Sequence, residues 1–113
     1  MPQEVTDIDR LRDYLKGVLD RADHHAQGVN EVVLAVAGGV VWRKDDGPLE
    51  VRTRKGEMGN VLWFTVDGER YALSYNHKKG EIELKAGSTH GKVAASFSNT
   101  SCSADVRAVF DGL

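Results

Sequence analysis

The sequence has one cysteine, Cys102, and so cannot form an intramolecular disulfide. A disulfide-stapled secreted scaffold is excluded, and a reducing compartment is the natural setting. Long apolar runs are missing too. The longest, Val32 to Trp42, has eleven residues including two glycines, too few to span a bilayer. Met1-Pro2-Gln3-Glu4 lacks the basic start and apolar stretch of a secretory leader. A cytoplasmic location with no membrane association is therefore expected.

Charge of one sign is also scarce, with a net of −2. Residues 1–31 carry seven acids and four bases, residues 43–92 carry ten bases and eight acids, and the tail adds −1. That basic excess is too weak for a face built to hold nucleic acid. Paired acids, a glycine-rich phosphate loop before a helix and a nucleophile elbow are all absent. No catalytic residue and no cofactor is expected.

What is present reads as one α+β domain over residues 1–113. At 41% hydrophobic and 28% charged the composition is that of a globular domain, neither disordered nor fibrous. Thr6-Asp7-Ile8-Asp9 opens a helix, with Thr6 as cap and the acids where the dipole favours them. Ile8, Leu11, Leu15, Val18, Leu19 and Ala22 recur at spacings of three and four, a single helical stripe, and Gly28 ends the element.

Beyond Glu31 an antiparallel meander of five or six strands is predicted. Val32 to Ala37 is uninterrupted and apolar, which suggests a strand buried on both faces. Gly38-Gly39 interrupts it as a bulge, and Val40-Val41-Trp42 resumes it. Leu49, Val51 and Thr53 alternate with charged residues in a half-exposed strand, and Gly56 to Gly59 is the next loop. Asp67-Gly68, between two strand-forming runs, predicts a two-residue type I′ hairpin. That turn sets Val66 opposite Glu69, Phe64 opposite Tyr71 and Leu62 opposite Leu73 on one face. Trp63 opposes Ala72 and Val61 opposes Ser74 on the other. Gly80 is the left-handed residue of the next turn. Ile82 and Leu84 alternate with charged residues, and Val93, Ala95 and Phe97 alternate in the same way. Ser103 caps a short closing helix through Val106, Val109 and Phe110.

If the helices cover Phe64 and Tyr71, then Trp63, Val61, Ala72 and with them Trp42 are left on an open apolar face. Such a face marks a binding site. The leading expectation is a non-enzymatic interaction module that forms a homodimer there. The alternative is a small-molecule-binding domain, or a small enzyme, with its pocket between the curved sheet and the N-terminal helix. Tyr71, Tyr75 and His77 would then supply polar contacts. A large cavity under the helix would favour the alternative.

Other constellations have simpler readings. Asp20 and His24 lie four apart on one helical face, a two-ligand clip with nothing in the sequence to complete a metal site. His77-Lys78-Lys79 with Arg52, Arg54 and Lys55 could hold an anion, but Glu81 and Glu83 weaken the field. Cys102 with His90 or His77 makes no defensible nucleophile–base pair, and a cysteine here reads as a small packed hydrophobe.

Through Val36-Ala37-Gly38-Gly39-Val40-Val41-Trp42-Arg43, Gly59-Asn60-Val61-Leu62-Trp63 and Tyr71 to His77, the chain resembles the orphan proteins of integron gene cassettes from environmental bacteria. The resemblance covers the central two-thirds. It implies a bacterial, mobile-gene origin and a compact α+β oligomer, and it carries over no functional residue.

Overall fold

The computed structural model describes residues 8–25, 28–54 and 57–113, with side chains for 8–24, 28–52 and 61–113. The order of elements is α1 (Ile8–His25), α2 (Val32–Arg43), β1 (Glu50–Arg54), β2 (Glu57–Val66), β3 (Glu69–Asn76), β4 (Glu81–Ala86), β5 (Val93–Phe97) and α3 (Ser103–Asp111). The five strands form an antiparallel meander in sequence order. The expected Thr6 cap lies outside the described residues.

The Asp67-Gly68 hairpin forms as predicted. Both residues have positive φ, 52° and 83°, and the register is the expected one from Val66↔Glu69 to Val61↔Ser74. Gly80 and Gly28 also adopt positive φ. Phe64, Val66, Leu73, Ile82, Leu84 and Phe97 join one core with Val36 and Val40 of α2 and Val106 and Phe110 of α3. One face of the sheet therefore lies under helices.

The principal correction is α2. Val32 to Arg43 is a helix of 12 residues, and the Gly38-Gly39 pair lies within it. A continuous apolar run cannot be told from a buried helix by periodicity, and its length suits a helix better than a strand of 4–8 residues. Its start has no local signal, because Glu31 at the N-cap makes no side-chain capping bond. The cap comes from across the fold instead. Asn99, just past β5, accepts hydrogen bonds from the Glu31 and Val32 amides at 2.9 and 3.0 Å. At the other end Arg43 donates to the Asp111 and Leu113 carbonyls, both at 2.9 Å, and so ties α2 to the end of α3.

Smaller corrections follow from pairing and capping. The backbone of Glu57 to Gly59, expected as loop, belongs to β2, with Arg54↔Glu57 and Thr53↔Met58 in register. A register shift between Leu84 and Lys85 sets Val93 opposite Lys85. This leaves Val93 exposed while Phe97 stays in the core. Cys102, not Ser103, holds the N-cap position of α3, and its side chain is exposed.

Asp45 anchors the hairpin to the end of α2. Its carboxylate accepts from the Asp67 and Gly68 amides at 2.8 and 2.9 Å, and its own amide donates to the Thr65 carbonyl at 2.7 Å. The bonds from Gly68 and Asp67 hold its carboxyl below the usual aspartate range. A carboxyl lowered on folding adds stability above its unfolded pKa, about 3.9. That contribution disappears as pH falls through the lower folded value. Asp45→Asn is expected to be less stable than the parent at pH 7, with the gap closing below about pH 4. Denaturant unfolding at several pH values checks this; a gap independent of pH would remove the carboxylate from the account.

Candidate functional site

Two surfaces were expected to carry function, and the sheet face opposite the helices is the simpler. Val61 and Ala72 lie on it as predicted, yet they are only 5% and 0% exposed within a single chain. The described side chains around them on this face are largely polar. Trp63 lies beside them, half-buried, with the Arg52 and Arg70 guanidinium groups 5.6 and 5.5 Å from its ring centre. Arg70 is in turn paired with Glu50 at 3.3 Å. Glu83, buried, meets Lys85 at 3.6 Å and accepts from the Asn76 side-chain Nδ2 at 3.3 Å.

Trp42 is not on this face. It projects from α2 and is half exposed, flanked by Arg43 and Arg107 at 5.6 and 5.5 Å from its ring centre. It borders a cleft of about 410 Å³ between α2 and α3. The four residues expected at one interface are thus divided between two surfaces.

The second surface lies between α1, α2 and the sheet. There a groove of about 430 Å³ opens among apolar side chains. The α1 stripe divides along its length. Leu19 packs on the core, Leu11 and Leu15 line the groove, Val18 touches both, and Ile8 is exposed, contrary to expectation. Val33 and Val36 of α2 and Leu62, Leu73 and Ile82 of the sheet form the opposite walls. Leu34 and Val41, on the rim, are 53% and 48% exposed.

Polar groups in the groove are few. Of the three expected contacts, Tyr75 lines it. His77 packs edge-on against the Tyr75 ring at 4.7 Å, and Tyr71 stacks on Phe64 at 5.7 Å; neither lines the groove. Ser74, Tyr14 and Arg21 do. Burial raises the Tyr14 phenol pKa, and the Arg21 charge partly offsets the rise. Tyr14, Val18 and Arg21 follow a four-then-three spacing on the helical face that carries Leu11. That spacing was the available signal, hidden because neither Tyr14 nor Arg21 is aliphatic.

The remaining candidates stay separate. His24 Nδ1 lies 2.8 Å from the Asp20 carbonyl oxygen, a bond that raises the imidazole pKa ahead of the nearby Asp20 charge. Among the described residues no three His, Cys, Asp or Glu side chains gather as a metal site. Nor is any described helix long and apolar enough to cross a membrane.

No curated protein matches the sequence. The profile of a family described as "Integron cassette protein VCH_CASS1 chain" matches residues 11–107. That span runs from the first groove residue of α1 to Arg107 in α3, through all five strands. The resemblance seen in the central segments thus extends over nearly the whole chain, which belongs to this integron cassette protein family, a family of unknown function.

Proposed function

We propose that this protein is a binding module for a small apolar molecule, held in the groove between α1, α2 and the sheet. The observation that carries the reading is the groove itself. Its volume of about 430 Å³ falls within the range of small-molecule sites, and an apolar lining with few polar groups is their usual character. The groove is open to solvent along its rim, and apolar walls favour an apolar occupant over water.

The neutral fluorescent probe N-phenyl-1-naphthylamine tests this. Saturable 1:1 binding with a blue-shifted emission is expected, and Ala37→Phe, which fills the groove, should abolish it without loss of helical circular dichroism. Absence of saturable binding to the parent protein would sink the proposal.

A second reading, self-association as a dimer, draws support from two tryptophans that the chain does not bury fully. Trp63, of intermediate burial, lies on the open sheet face, and Trp42, half exposed, on α2. Trp63→Glu should remain folded, since the new carboxylate would lie between Arg52 and Arg70. If the sheet face is the interface, that variant sediments as a monomer while Trp42→Glu does not. A parent protein that sediments as a monomer at all concentrations would end this reading.

A further inference from the structure

We infer that the groove is made for an amphipathic anion, an aliphatic carboxylate whose head group meets Arg21 and Tyr14 and whose chain lies against Val33, Val36, Leu62 and Leu73. The inference rests on the proposed small-molecule reading and specifies its ligand. Arg21 is the one charged side chain among the described residues lining the groove. It is partly buried and has no ion pair or hydrogen bond among the described residues. Its helical neighbours explain why. Positions three and four away hold Gly17, Val18, His24 and His25, and none is an acid. Asp20 and Asp23 of the same helix are exposed, and neither lines the groove.

A half-buried guanidinium with no partner among the described residues presents a planar fork of donors that matches a carboxylate in two parallel hydrogen bonds. The Tyr14 hydroxyl, which like any phenol is protonated at neutral pH, adds a donor in the same groove. No acid among the described lining residues opposes an incoming anion. A ligand cation would meet Arg21 unscreened, and a neutral chain would leave the guanidinium covered and unmatched, which disfavours binding. Charge complementarity therefore selects the anion.

Competition against N-phenyl-1-naphthylamine, below micellar concentrations, tests the inference with decanoate, decanol and decyltrimethylammonium. Decanoate is expected to displace the probe at least about tenfold more tightly than decanol, a difference of about 1.4 kcal/mol, with the cation weakest. Arg21→Gln should remove the decanoate advantage while leaving the probe and decanol within about twofold, and Arg21→Lys should restore part of it. Decanol binding as tightly as decanoate would overturn the anion inference and leave the apolar groove standing. A probe that binds neither parent nor variant would overturn the groove reading itself. If Arg21→Gln weakens the neutral probe as much as decanoate, Arg21 shapes the groove and does not choose its ligand. Probe binding seen only on dilution would mean that a second copy fills the groove, and would also overturn the inference.

Discussion

Phe110→Ala is expected to remove about 3–5 kcal/mol of stability, the usual cost of truncating a buried phenylalanine. Phe110 is 0% exposed. Its ring stacks on Phe97 at 5.9 Å, nearly parallel at 11°, and meets Phe64 at 6.4 Å. One side chain thus joins α3 to the strands at both ends of the core, β2 and β5, and its far side rests on α2. Removing it strips aromatic contacts from three elements and leaves a cavity that rigid strands cannot close. Against a total stability of about 5–15 kcal/mol, the loss approaches global unfolding. Urea unfolding followed by circular dichroism measures it. A loss below about 1 kcal/mol, the scale of an ordinary substitution, would show that α3 does not dock on the sheet.

The second large effect lies on the other side of that ring. A methyl group built on Gly39 would come within 2.6 Å of three Phe110 ring carbons, whereas one on Gly38 meets nothing within 4 Å. Adjacent glycines in one helix should therefore respond with opposite sign. Gly38→Ala gains up to about 1 kcal/mol of helix propensity. Gly39→Ala gains the same propensity, but must push α3 away from α2, at a cost of about 1–3 kcal/mol or more. The pair Gly39→Ala with Phe110→Ala should cost less than the two separate losses added, because the smaller side chain makes room for the methyl. Equal effects at Gly38 and Gly39, or strict additivity of the pair, would contradict the close approach of α2 to α3.

These two results also explain why α2 was misread. Glycine pairs inside apolar valine runs look like interrupted strands, since valine favours strands and glycine often marks a bulge. The purpose of Gly39 becomes visible only when Phe110, 71 positions later in the sequence, is placed against it. The same applies to the start of the helix. Its cap is Asn99, 67 positions beyond Val32, and no window of local sequence contains both.

Local interactions account for the β2–β3 hairpin. The two-residue Asp67-Gly68 turn admits one register, so the strand pairing and the two sides of the β2–β3 hairpin followed from sequence alone. Those faces placed Phe64 and Leu73 under helices and Trp63 and Ala72 opposite. The tertiary structure decided the rest, because it depends on what a face meets. On the open sheet face Arg52 and Arg70 lie over the Trp63 ring and Lys85 pairs with Glu83, as long charged side chains can lie along apolar surface while their charges stay satisfied. The α1 stripe is partly core and partly groove wall, according to how far α2 and the sheet extend beneath it. Spacing can say that Leu15 and Leu19 share a side of a helix. Only the packing of the other elements says that Leu19 meets a core and Leu15 an opening.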